Sequence, residues 1–288
     1  MSESTLLNHD PMTEALLLPL YFRAMEWQRP DALLRDERAV ELVRRMGLDA
    51  ARLQQAQVQD EVAVSVLLRN REFDRQTRDY LSCHTQAVVV HIGCGLDSRF
   101  ERVDDGRVEW YDLDLPEAME LRRKLLGGEG LRYHQLACSV LDSSWREAVS
   151  VHAGRPFLFL AEGVFMFLEE AQVKGLVLTL RERFPGAELV FDAFSPFYVW
   201  GNNRRVARSG VGALAHWGLK HPRDLESWGP RPPHGGTTNP DAGIRLLDEW
   251  YPFLCPEPRL GRARWARYIP GLGKVTGVYH YRLGNPVA

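Results

Sequence analysis

Ala87-Val88-Val89-Val90-His91-Ile92 runs straight into Gly93-Cys94-Gly95-Leu96-Asp97-Ser98-Arg99. A short, β-branched, nearly continuous apolar run that stops at glycine predicts a strand buried on both faces. The glycines that follow let the backbone turn sharply and approach a ligand with no β-carbon in the way.

Downstream, Val108–Leu113, Arg132–Ala137, Pro156–Ala161 and Glu188–Phe194 are four more strand candidates. Helical stretches separate them. Pro116–Leu126 opens on a proline suited to a first turn. Ser144-Trp145-Arg146-Glu147 has the spacing of a capping box. Glu169–Phe184 puts Val173, Leu176, Val177, Leu180 and Phe184 on one face before Pro185-Gly186 ends it. Strands alternating with helices predict an α/β fold, a doubly wound, mostly parallel, Rossmann-like sheet. Ile244–Leu254 and Val275–Leu283 can supply its last strands. Between the fifth strand and these lies 200–243, rich in glycine and proline, which reads as a mobile insertion beside the active-site edge. Residues 1–85 read as helical: Ala39, Val40, Val43 and Met46 recur at helical spacing with Gly47 as a stop, and Val62–Leu81 forms a second, arginine-rich stretch.

Composition narrows the function. The 288 residues are 45% hydrophobic and 26% charged, as in an ordinary soluble globule. A net charge of −2 gives no global pull toward nucleic acid or an anionic membrane. The clusters Arg204, Arg205, Arg208 and Arg262, Arg264, Arg267 read as solvated faces. Cys83, Cys94, Cys138 and Cys255 form no metal-ligand spacing, and a reducing compartment fits them. Met1–Met12 lacks the pattern of a signal peptide, and the longest apolar run, Ala15–Phe22, is too short to span a bilayer. The expectation is a soluble cytoplasmic protein with no metal, nucleic-acid or membrane partner.

Ligands of open parallel sheets bind outside the carboxyl ends of the strands. At the first such end, Ser98 stands where a dinucleotide loop would carry its third glycine, and Asp97 adds a negative charge. A pyrophosphate is poorly served there. S-adenosylmethionine, which has no phosphate and carries a sulfonium cation, suits Gly93, Cys94 and Gly95 better, although a plain strand-to-helix turn also fits. Asp112 and Asp114, 19 and 21 residues after Gly93, are placed to accept from ribose hydroxyls, or else to cap the next helix. Ser139, after the third strand, can bond an adenine, while Asp142 reads as a turn residue. Glu162 ends the wholly apolar fourth strand, where a carboxylate is costly unless paired. It can face a cationic ligand or serve structure alone.

Together, Arg69-Asn70-Arg71-Glu72-Phe73-Asp74-Arg75, the Gly93–Arg99 loop, Trp110–Pro116, Ser139-Val140-Leu141-Asp142 and Ala161-Glu162-Gly163-Val164 resemble the leucine carboxyl methyltransferase family, in its tetracenomycin-type branch of bacterial polyketide O-methyltransferases. The resemblance runs from about residue 15 to residue 284. It implies an N-terminal helical lid (1–85) on an S-adenosylmethionine-binding Rossmann-like domain (86–288, with 200–243 as cap or insertion). It further implies Arg71 or Arg75 on the methionyl carboxylate, Asp114 on the ribose, Ser139 and Val140 on the adenine, and Glu162 near the amino end. Asn70 departs from the threonine of the family's arginine-threonine-arginine pattern.

The expected activity is O-methylation of a carboxyl or hydroxyl group on a small, polyketide-like acceptor. Methylation of a protein carboxyl terminus, a nicotinamide-dependent oxidoreductase and a non-catalytic binding module are the alternatives. His91, His134, His152 and His216 are available as bases, but no spacing recommends one. The aromatic stretch Phe191–Trp200 reads as core and cap packing or as part of an acceptor pocket.

Overall fold

In the computed structural model, which describes residues 11–47, 60–209, 213–229 and 243–285, the run after Ala87 is the strand β1 (Val88–Ile92), with all five residues buried. Among the described residues it is preceded by the helices α1 (Pro11–Trp27), α2 (Glu37–Arg45) and α3 (Asp60–Cys83). It is followed by α4 (Arg99–Val103), β2 (Glu109–Asp114), α5 (Pro116–Leu126), β3 (Tyr133–Ala137), α6 (Ser144–Val149), β4 (Phe157–Ala161), α7 (Glu170–Arg183), β5 (Ala187–Phe194), α8 (Pro196–Ser209), β6 (Ile244–Trp250) and β7 (Thr276–Leu283).

The strands form one sheet in the order β3-β2-β1-β4-β5-β7-β6. β1, β2, β3, β4 and β5 pair in parallel, and β7 runs antiparallel to both β5 and β6. The chain steps from β1 out to β3, then returns to the other side of β1 as β4. That reversal is a topological switch point, and it leaves a crevice above the carboxyl ends of β1 and β4.

Side chains alternate across the sheet. Val88, Val90 and Ile92 join Phe157, Phe159 and the buried faces of α6 and α7 (Trp145, Val173, Val177, Leu180) in one core. Val89, Leu158, Leu160 and Val190 meet Phe73, Tyr80 and Leu81 of α3 in the other. A third cluster (Leu20, Ala24, Ala39, Leu42, Leu96, Leu125) fastens α1 and α2 to the glycine loop and α5. Asp36 caps α2 by accepting from the Ala39 N–H at 3.0 Å.

Two expectations need correction. The Ser144/Glu147 capping box does not form: Ser143 is the N-cap residue, with no side-chain cap bond, and the Glu147 N–H donates to the Ser143 carbonyl. The described residues of 200–243, 200–209 and 213–229, are also more ordered than the glycines of this segment suggested. α8 continues through Gly201 to Ser209, and Ala215, Trp217, Leu219 and Leu225 are buried. A glycine in a helix costs only about 1 kcal/mol, which the rest of α8 absorbs. Trp217 sits among Phe165, Phe191 and Trp228, so burial of one large aromatic pins the stretch to the sheet. The glycine- and proline-rich part, 230–242, lies outside the described residues. No helix among the described residues is long and apolar enough to cross a membrane.

Candidate functional site

Above the switch point the strand ends enclose a cleft of about 460 Å³. Its wall takes Gly93, Cys94 and Gly95 from the loop after β1, Asp114 and Leu115 from the end of β2, and Cys138, Ser139 and Val140 after β3. Glu162 through Leu168 contribute after β4, apart from the buried Phe165, and Leu16, Pro19, Arg23, Arg69 and Asn70 arrive from α1 and α3. Gly93, Cys94, Gly95, Asp114, Ser139, Val140 and Glu162 therefore share one cavity.

The glycine loop is held on both sides. Gly93 and Gly95 have φ of +66° and +48°. A β-carbon on Gly93 would stand 2.2 Å from Val164 Cγ2, and one on Gly95 would stand 2.9 Å from Leu16 Cδ2. Asp114 Oδ2 accepts from the Gly95 N–H at 2.7 Å, and Oδ1 accepts from the Leu115 N–H at 2.8 Å. Arg122 donates to the Gly95 carbonyl at 2.8 Å while pairing with buried Asp112. Asp112 also accepts from Trp110 Nε1 and the Tyr133 hydroxyl, so of the two β2 aspartates it supports the loop from behind and only Asp114 reaches the cleft. Gly93→Ala should cost about 2 kcal/mol, from left-handed strain and the Val164 clash, and calorimetric melting would read it.

Burial raises the Asp114 carboxyl above its ordinary range, against the pull of the Gly95 and Leu115 amides. Glu162 behaves oppositely. Burial works to raise it, but Arg69 and Arg99 outweigh that and hold it low. Its Oε1 accepts from Arg69 Nε at 2.8 Å and from Asn70 Nδ2, and its Oε2 accepts from Arg99 Nη2 at 2.6 Å. Arg69 Nη1 continues to Asp192 at 2.8 Å, and Asp192 accepts from the Gly163 N–H at 2.5 Å. Arg99 is fully buried and also reaches Asp74, Asp97 and His91. Arg102 joins Asp74 and Asp97 to Asp36, which holds Arg23 of α1. An ionic chain thus runs from the N-terminal helices under the glycine loop to β4 and β5.

Arg71 and Arg75 are not in this cavity. Arg71 is exposed, and Arg75, whose side chain is 48% exposed, pairs with Glu72, Asp79 and Asp248. At about 100° per residue, a helix that turns Arg69 and Asn70 to the cleft must turn Arg71 and Arg75 away. Arg69 occupies the place expected of them. Its Nε and Nη1 are used, and Nη2 has no hydrogen-bond partner among the described residues. Arg23, the other arginine in the wall, also went unsignalled by the sequence. After β3, Asp142 accepts from the Ser139 N–H and Trp145 Nε1 donates to the Val140 carbonyl, which fixes the turn those two residues form. In the aromatic stretch, Phe191 is buried in the core, Phe197 and Trp200 are exposed, and none of them lines the cleft.

A carboxylate beside a close-approach glycine loop, an apolar slot next to it and guanidinium groups beyond make a site for a nucleoside with a charged tail. Leu16, Pro19, Val164, Met166, Phe167 and Leu168 make the rest of the lining largely apolar.

Comparison with known proteins gives the family and the fold. A model of the leucine carboxyl methyltransferase family matches residues 17–180. The chain is 33% identical over 261 residues to the tetracenomycin polyketide synthesis O-methyltransferase TcmP of Streptomyces glaucescens, covering 90% of this chain and 89% of that one. It is 28% identical over 232 residues to the S-adenosyl-L-methionine-dependent methyltransferase dpfgK of Gibberella zeae, covering 74% and 77%. A candidate methyltransferase from Thermobifida fusca YX, solved at 1.95 Å, superposes with a TM-score of 0.56 over 93% of this chain and 94% of its own, at 14% identity, which speaks to the fold alone.

Proposed function

The chain belongs to the leucine carboxyl methyltransferase family, and from that premise we propose that it methylates an oxygen, most readily a carboxylate, of a small polyketide-like molecule. It is an S-adenosylmethionine-dependent methyltransferase. The cofactor supplies an electrophilic methyl group on a sulfonium.

The residues present fit it. The observation that carries the reading is Asp114. Each of its oxygens takes one backbone N–H and keeps a lone pair for a ribose hydroxyl. Gly93 and Gly95 would let the nucleoside lie against the backbone, Ser139 and Val140 would flank the adenine, and Arg69 Nη2 would take the α-carboxylate. Arg71 and Arg75 have no part in this reading. Residues 1–85 would serve as a lid, since α1 brings Leu16, Pro19 and Arg23 into the wall.

Methyl transfer from a sulfonium is an in-line displacement, and the protein's task is to hold the acceptor oxygen opposite the leaving sulfur. The apolar side of the cleft would do this and exclude water. Three titratable groups of the wall are already committed. Asp97 is paired with Arg99 and Arg102, Glu162 is held by Arg69, Asn70 and Arg99, and His91 Nε2 faces an Arg99 N–H at 3.2 Å, where it must accept. A carboxylate acceptor is ionised near pH 7 and asks for no base, whereas a phenol, with a pKa of about 10, does. This supports carboxyl over hydroxyl as the target.

Radiolabelled cofactor offered with 2-naphthoic acid, 2-naphthol and cell-lysate protein in parallel tests the proposal. Label should enter the naphthoate ester. Label confined to protein would overturn the small-molecule reading, and label confined to the naphthol would overturn the carboxyl preference.

The raised Asp114 carboxyl gives a pH prediction. Ribose hydroxyls donate to the ionised form, so affinity for S-adenosylhomocysteine should be flat at neutral pH. It should fall as pH drops through the raised value, above the ordinary aspartate range. Titration calorimetry from pH 4.5 to 8 measures this, and unchanged affinity across the range would contradict it.

A further inference from the structure

The arginines Arg262, Arg264 and Arg267, which composition alone leaves as a solvated face, lie in a stretch with its own charge balance. Residues 258–274 carry Arg259, Arg262, Arg264, Arg267 and Lys274 and no Asp or Glu, in a chain whose net charge is −2. The carboxylates that approach the stretch are Glu26 and Glu257, both on Arg259, Glu249, on Lys274, and Glu61, which reaches Gly261. Among the described residues no carboxylate pairs with Arg262, Arg264 or Arg267. The stretch is pinned from behind. Pro258–Tyr268 forms 3₁₀ turns whose Leu260 is buried against Val64 and Leu68 of α3. Ala266 and Gly273 are buried too, and a β-carbon on Gly273 would stand 2.6 Å from Leu254 Cδ2. What is left outside is apolar as well as cationic. Trp265, Tyr268 and Ile269 are each more than half exposed, and exposed Leu272 follows the Pro270-Gly271 turn. Arg264 lies over the Trp265 ring at 5.6 Å and Arg267 over the Tyr268 ring at 5.1 Å.

The strand register places this face. β7 starts at Thr276 opposite Phe194, the last residue of β5, and β6 ends at Trp250 opposite Val278. The connection 251–275 therefore stands at the sheet edge where the parallel strands end and the cleft opens. α8 leaves β5 at that edge and repeats the pattern, with Phe197 and Trp200 exposed and Arg204 over the Trp200 ring at 4.8 Å.

We propose that residues 262–272 dock on an anionic lipid surface. Trp and Tyr settle at the headgroup level of a bilayer, small apolar side chains enter the acyl boundary beside them, and arginines reach the phosphates. Here the two kinds of side chain interleave along one outward face, as that layered surface requires. A protein partner is served less well, because interface cores are depleted of charge. Nucleic acid needs aromatic faces for its bases, and an arginine already lies on each of these two rings. Docking brings the cleft edge of the sheet to the bilayer, where an apolar acceptor concentrates. That consequence, unlike the docking itself, rests on the methyltransferase reading above.

Sedimentation of the full chain with vesicles tests it, and needs no methyl transfer. The probes are vesicles of phosphatidylcholine alone, vesicles of phosphatidylcholine and phosphatidylserine at about two to one, poly-glutamate and transfer RNA. The wild type should sediment with the mixed vesicles, bind phosphatidylcholine alone about a hundredfold less well, and be released by salt. At about fivefold per arginine, the combined Arg262→Ala, Arg264→Ala and Arg267→Ala variant should lose about a hundredfold in partitioning. Trp265→Ala keeps every cation and should lose about tenfold, through its apolar surface. Melting temperatures close to that of the wild type show that both variants are folded, as expected of exposed positions. A wild type that stays in solution with the mixed vesicles overturns the inference, as does a triple variant that sediments like the wild type. Binding to poly-glutamate or transfer RNA in place of vesicles also overturns it, and hands the face to an acidic protein or a nucleic acid.

Discussion

Asp114→Ala should weaken S-adenosylhomocysteine binding by about two to four orders of magnitude while leaving the fold in place. Two ribose hydroxyls on one carboxylate are charge-assisted bonds of about 1.5–3 kcal/mol each, which sets that range. The substitution also strips the Gly95 and Leu115 amides of their acceptor, so the loop that cradles the nucleoside loses a support at the same time. Stability should change little. Burial raises the Asp114 carboxyl, so its ionised form is a cost to the free protein at neutral pH, and alanine removes that cost. Asp114→Asn should fall between the two, because it keeps the shape and loses the charge. Calorimetric affinity within threefold of wild type for the alanine variant would show that the ribose lies elsewhere.

Asp114 was legible in the sequence, and the reason shows where legibility stops. β1 and β4 are buried throughout and read as apolar runs ending at Gly93 and Glu162. A parallel sheet gathers such ends on one edge, so Gly93, the pair Asp112 and Asp114, Ser139 and Glu162 could be assembled from strand positions, while the choice of Asp114 within the pair and the addition of Val140 came from the family resemblance. The arginines could not, since which side of α3 meets the cleft depends on what α3 packs against. The signal was present in its apolar phase. Leu67, Phe73, Thr77 and Leu81 are buried and put Asn70 on their side, with Arg71 and Arg75 off it. The helix α8 was hidden by its glycine, and the burial of Trp217 shows only against the finished sheet. The capping-box spacing failed for a related reason: Ser143 was as good a boundary as Ser144.

The burial of Arg99 was equally invisible, because its partners Asp74, Asp97 and Glu162 come from three separate parts of the chain. Arg99→Met should nevertheless be among the most destabilising single changes available. It leaves three carboxylates short of a partner in a place from which water is excluded. Removing one side of a buried pair typically costs about 3–5 kcal/mol, which in a chain of this size lowers the melting temperature by about 10 °C. Acid should narrow the gap. In the wild type Asp74, Asp97 and Glu162 are held below their ordinary range: burial works to raise each, and Arg102 and Arg99 (for Glu162, Arg69 and Arg99) overcome it. The stability they contribute is present above the unfolded carboxylate range and is lost as pH falls through the lowered folded values. Without Arg99 the three are released upward. The variant is then penalised while they are ionised and relieved as they take up protons. Melting temperatures at pH 8 and pH 5 should therefore differ more between the two proteins at pH 8. A gap that stays constant, or widens in acid, would mean that Arg99 stabilises by packing against Phe73, where it lies 5.1 Å from the ring, and not by charge. Arg99→Lys separates these further, since it keeps a cation but cannot bond Asp74, Asp97 and Glu162 together.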